Sequence, residues 1–100
     1  MSARPEVDFH AFLRAQRSEY ARGIPERVAQ IARDAERVAR DPSARVPLEH
    51  AAHALAGSSG TFGFMDLSRA ARALELAAPH APPEQLASLL HELERCRAHI

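Results

Sequence analysis

One hundred residues set the size of a single domain, expected to span residues 1–100. Thirteen basic and thirteen acidic side chains cancel, which argues against a nucleic-acid binder, and no apolar run approaches the roughly 20 residues of a membrane span. One cysteine, Cys96, excludes an internal disulfide, and Met1-Ser-Ala-Arg-Pro5 lacks the apolar core of a secretion signal, so a reducing, cytoplasmic setting is expected.

The chain reads as helix throughout, because β-branched and aromatic residues are sparse and nothing alternates with period two. A first helix is predicted from about 6 to 22, with Phe9, Phe12, Leu13, Gln16 and Tyr20 on one stripe and Gly23 as its stop. Pro25-Glu26 opens a second, from about 25 to 40, with Val28, Ile31, Ala32, Ala35 and Val38 inward. Asp41-Pro42-Ser43 breaks it. Pro47-Leu48-Glu49 starts a third helix over about 47–59, with Leu48, Ala52 and Leu55 facing the core and Phe62 a further candidate. Asp66 is the predicted N-cap of a fourth, over about 66–78, which buries Leu67, Ala70, Ala71 and Leu74 and halts at Pro79. Pro83-Glu84 opens a fifth, over about 83–98, with Leu86, Leu89, Leu90, Leu93 and Cys96 inward.

Each helix thus has one face to bury, and short connections make neighbours antiparallel. The predicted fold is all-α: an up-and-down antiparallel four-helix bundle of the last four helices, with the additional N-terminal helix laid over one end. A monomer is expected, because every stripe can be buried internally.

The third helix carries an unusual face. With Leu48 set at zero, Ala52 and Leu55 fall within roughly 40° of the core direction, whereas His53 lies roughly 140° away, Gly57 near 180° and His50 near 200°. His53 therefore points to solvent. Gly57 lies one turn beyond it and costs about 1 kcal/mol relative to Ala inside a helix. Close approach of another molecule beside the imidazole would offset that cost. A partly neutral imidazole at pH 7 also has a nucleophilic lone pair.

The run His53-Ala-Leu55-Ala-Gly57-Ser58-Ser59-Gly60-Thr-Phe-Gly63, followed by Leu67 and Leu74-Glu75, resembles the signature of histidine-containing phosphotransfer domains. The resemblance covers the last four predicted helices. It implies a four-helix bundle whose exposed His53 accepts a phosphoryl group from a receiver-domain aspartyl phosphate and passes it to another receiver. It implies that Gly57 gives the receiver room and that Gly63 shapes the turn between the central helices. It further implies Glu75 as the group that orients the ring, since a carboxylate can accept the Nδ1 proton. Receiver domains and an upstream hybrid histidine kinase are the implied partners. They would dock over Glu49, His50, Ala56 and Gly57, with Phe64 and Met65 either adding exposed apolar contact or serving as core of the turn. No cofactor is expected in this chain, Mg²⁺ being brought by the receiver. One position departs from the family: the usual Lys three residues after the His is Ala56 here. Arg69 and Arg72 are candidates to replace its charge.

No autonomous kinase or nucleotide site is expected. Gly57-Ser-Ser-Gly60 lacks the lysine of a phosphate-binding loop and follows a helix, not a strand. Ser58 and Ser59 stand five and six residues past His53 and point elsewhere, which disfavours a hydrolase. Two other readings compete. His50 and His53 could begin a zinc site, but three or four ligands are needed. Alternatively the bundle is a non-phosphorylated helical adaptor that docks signalling proteins.

Overall fold

The computed structural model describes residues 5–100. Among them are four α-helices and one short 3₁₀ turn, and no strand: α1 (Pro5–Arg37), the 3₁₀ turn (Pro42–Ala44), α2 (Arg45–Thr61), α3 (Met65–Ala77) and α4 (Pro83–Ala98). Consecutive helices pack side by side, and α4 returns to α1, so the four close a ring. The most extensive contact joins α2 and α3. These two run antiparallel: Ser68 of α3 bonds to Ala56 of α2, and the later Glu75 bonds to the earlier His53.

The first two predicted helices are one. Gly23 does not end a helix and Pro25 does not begin one; both lie inside α1. The reason is packing. Tyr20, Ile24, Val28, Ile31, Ala35 and Val38 recur at three and four residues without a break in phase, and Ile24 is fully buried. A stripe that already faces the core on both sides of Pro25 keeps the helix going despite the lost backbone bond.

The N-terminal half of α1 has a different fate from the one predicted. A 33-residue helix is about 50 Å long, twice the length of α2, and the molecule measures 62 × 22 × 19 Å. Phe9, Phe12 and Leu13 are exposed rather than laid over the bundle. The ground for expecting a monomer, that every stripe is buried internally, does not hold for this segment. Contact with the rest begins at Arg17, which donates to the Phe62 carbonyl at 2.5 Å and lies 4.0 Å over the Phe64 ring. Tyr20 stacks on Phe62, with centroids 4.7 Å apart.

The other helices keep their predicted inward faces. Leu48, Ala52 and Leu55 of α2, Leu67, Ala70, Ala71 and Leu74 of α3, and Leu86, Leu93 and Cys96 of α4 are buried. Phe62, Leu89 and Leu90 are half-buried. The α2–α3 contact is close: a serine hydroxyl of α3, Ser68 Oγ, reaches the backbone carbonyl of Ala56 on α2 at 2.7 Å.

The ends of the elements have identifiable causes. Asp41 accepts from Ser43 N and Oγ at 3.1 and 2.6 Å, which holds its carboxyl below the usual range and caps the 3₁₀ turn. Helix α2 grows directly out of that turn, with Pro47 in its first turn, where a missing N–H costs nothing. Its other end is a Schellman turn. Gly63 adopts φ +84°, Gly63 N–H donates to Gly60 O at 3.1 Å, and Phe64 N–H donates to Ser59 O at 2.8 Å. The N-cap of α3 is Phe64 and not Asp66, which falls in the first turn and pairs with Arg69 at 2.6 Å. Arg45 donates to the carbonyls of Ala78 and Ala81, at 3.1 and 2.7 Å, and so closes the C-terminal end of α3. Pro83 opens α4 where predicted.

Candidate functional site

His53 sits in the middle of α2 with 70% of its side chain exposed. Its Nδ1 lies 2.6 Å from Glu75 Oε2 on α3, a carboxylate whose side chain is 18% exposed. A carboxylate only accepts, so the proton of a neutral ring belongs on Nδ1 and the lone pair on Nε2. The close seat of α3 on α2 makes this bond possible, because a one-carbon and a two-carbon stem bridge the helices only where the backbones are close. The other oxygen, Glu75 Oε1, is 3.2 Å from Arg72 Nε. That atom has no hydrogen-bond partner, so the contact is an off-line ion pair and not a hydrogen bond.

The surface around the ring is made by two helices. Glu49 is half-buried, while His50 and Gly57 are exposed on the same side of α2 as His53. A Cβ added at Gly57 would meet no atom within 4 Å. Nothing inside the protein requires glycine there. Gly60 differs, since a Cβ would lie 3.2 Å from Ser68 Oγ.

Ala56 is not part of that surface, contrary to the expectation from sequence. It is 3% exposed, and its carbonyl accepts from Ser68 Oγ at 2.7 Å. At roughly 80° from Leu48 it lies between the core and the open face, and α3 covers it. Phe64 and Met65 do not reach the ring either. Phe64 packs on the core beside Tyr20, and Met65 is exposed at the far end of α3, about 15 Å along the axis from Glu75. Gly63 likewise belongs to the turn and not to the imidazole. Two exposed apolar residues that sequence reading passed over do flank the site: Val46, two turns before His53 on the same face of α2, and Leu76, next to Glu75. The available signal was a large apolar residue off its helix's buried stripe.

The two serines after Gly57 are occupied. Ser58 Oγ donates to Ala54 O at 2.8 Å and so receives from the Tyr20 hydroxyl at 2.5 Å. Ser59 is buried and donates to Leu55 O at 2.5 Å. Neither bonds to His53. Among the described residues, no three His, Cys, Asp or Glu side chains are grouped to hold a metal ion, and no helix is long and apolar enough to cross a membrane.

No curated protein and no solved structure matches the chain. Residues 17–99 match the Hpt domain family, a span that starts at the first residue of α1 to touch the bundle and runs through α4. The chain therefore belongs to the Hpt domain family, whose members take part in histidine phosphotransfer in phosphorelays and interact there with receiver domains and histidine kinases.

Proposed function

We propose that this protein is a phosphorelay intermediate and that His53 is its phosphoryl acceptor. The observation that carries the reading is the pairing of an exposed ring with a largely buried carboxylate through Nδ1. In the proposed step, Nε2 attacks the phosphorus of an aspartyl phosphate on a receiver domain. The N–P bond forms as the P–O bond to the aspartate breaks, and the aspartate leaves as a carboxylate. The ring then has a proton on Nδ1 and phosphorus on Nε2. The positive charge this creates lies against Glu75. Reversal of the step with a second receiver moves the group onward. Phosphoryl transfer asks mainly for in-line placement and charge stabilisation, which suits a site with one fixed nucleophile and an open approach.

The receiver would seat over His50, Gly57 and the edge of Glu49, with Val46 and Leu76 as apolar contacts, and would bring its own Mg²⁺. The bare space at Gly57 supports this placement, since its helix cost has no internal compensation. A cytoplasmic setting follows from the same reading, because receivers and the catalytic parts of their kinases act there.

The test is phosphate incorporation. Wild type mixed with a phosphorylated receiver gains acid-labile, base-stable phosphate, and His53→Gln gains none. Equal labelling of the variant overturns the assignment of His53. Absence of labelling of wild type from every receiver tried, with docking preserved, favours the adaptor. Ala56, which stands where the family usually has lysine, is the observation on the adaptor's side.

A further inference from the structure

A phosphoryl group on His53 brings two negative charges to a surface where α2 supplies no lysine or arginine. The open face of that helix offers His50, His53 and Gly57, and the residue one turn on, Ala56, is buried under α3. The countercharge has to come from α3. Arg69 is held one turn away by Asp66, and Arg45 is committed to the carbonyls at the end of α3. Arg72 is placed differently. Ser68 and Glu75 form two rungs between the helices, to Ala56 and to His53, and Arg72 lies between them along α3. It stands roughly 160° from the buried Leu74, so it rises at the outer edge of the α2–α3 seam.

Its present attachment is weak. The side chain is 60% exposed, its Nε meets Glu75 Oε1 off-line, and its two Nη groups make no hydrogen bond among the described residues. Exposed ion pairs contribute little, whereas a guanidinium grips a phosphoryl group through two parallel N–H donors. One carboxylate thus joins the imidazole, through Oε2, to a guanidinium with donors to spare, through Oε1.

We propose that Arg72 is the cation that binds the phosphoryl group on His53, turning from Glu75 to two phosphoryl oxygens as the N–P bond forms. The proposal rests on His53 being the acceptor. Arg72 makes no bond to the reacting nitrogen, and Glu75 keeps the Nδ1 proton throughout. The arginine stabilises charge at the group being moved.

The experiment uses the full chain with two donors: a phosphorylated receiver, and phosphoramidate, which needs no docking partner. The rate of labelling and the ³¹P titration midpoint of the bound phosphoryl group are measured for wild type, Arg72→Ala, Arg72→Gln, Arg72→Lys and Arg69→Gln. With both donors, Arg72→Ala and Arg72→Gln are expected to label about tenfold more slowly. Their ³¹P midpoint rises, since a neighbouring cation favours the dianion. Arg72→Lys recovers part of both effects, and Arg69→Gln leaves rate and midpoint at their wild-type values. An unchanged midpoint in Arg72→Ala and Arg72→Gln overturns the proposal even if labelling slows, because loss of ring orientation alone would not move it. A shift in Arg69→Gln as large as in Arg72→Ala also overturns it. Wild type that takes phosphate from neither donor overturns the acceptor reading, and Arg72 falls with it. Labelled wild type matched by Arg72→Ala overturns Arg72 alone.

Discussion

Gly57 separates stability from function at one residue. In the interior of α2 it gives up about 1 kcal/mol relative to alanine. The added methyl would meet open space, so no strain opposes the change. Gly57→Ala should therefore raise the melting temperature by about 4–8 °C in a domain of this size, as read by calorimetry. If a receiver docks over this turn, the same variant should slow phosphoryl transfer from the receiver but leave labelling by phosphoramidate unchanged. A variant that is more stable and equally fast with both donors would show that the partner does not press on Gly57. The exposure of His53 and its distance from the core direction were legible from helical periodicity alone, since both follow from the angle to Leu48. Glu75 was legible only through the resemblance. The burial of Ala56 was not, because its angle leaves it at the margin and only the seat of Ser68 on α2 decides it. Arg17 and Arg45 were equally hard to place: each acts on a group in another element, and local pattern carries no record of such a reach.

At the level of elements, α1 is two kinds of helix in one rod. From Tyr20 onward its stripe is core; before Arg17 it is solvent-exposed. Truncation should expose the difference. Phe12→Ala is expected to change the unfolding free energy by no more than about 0.5 kcal/mol, as surface changes usually do. Leu55→Ala, at a fully buried site, should cost about 2–5 kcal/mol. Denaturant melts of the two variants check this, and a large loss from Phe12→Ala would mean that the N-terminal half packs on something. Boundaries were readable where propensity and packing agree: α4 begins at Pro83 and ends at Ala98 as its proline and stripe indicate. They were misread at Gly23 and Pro25, where punctuation says stop and start but the stripe through Tyr20, Ile24 and Val28 keeps its phase. Tertiary burial outweighed the local signal. Asp66 shows the same competition on a smaller scale, since the Schellman turn at Gly63 sets where α3 starts, and a capping side chain does not.

Across the whole molecule, Cys96 reports on the integrity of the bundle. It is buried in α4, and burial pushes its thiol above the ordinary value, with Glu92 adding to the effect. A thiol that ionises at higher pH folded than unfolded favours the folded state while protonated. Its contribution is complete below the unfolded value, about 8.5, and is lost as pH rises through the folded one. Alkylation of the native protein at pH 8 should accordingly be slow and should become rapid when denaturant unfolds the bundle. Rapid modification without denaturant would mean that α4 leaves its neighbours readily. Fold class and the inward faces of the last three helices were available from periodicity. The 62 Å length was not, because it depends on one helix continuing where two were expected.

The close seat of α3 on α2 has a consequence for timing. Because two backbones and not two long side chains determine how far His53 stands from Glu75, the imidazole loses its freedom when the chain folds. A visiting protein then meets a nitrogen already aimed, and its own binding energy need not be consumed in aiming it.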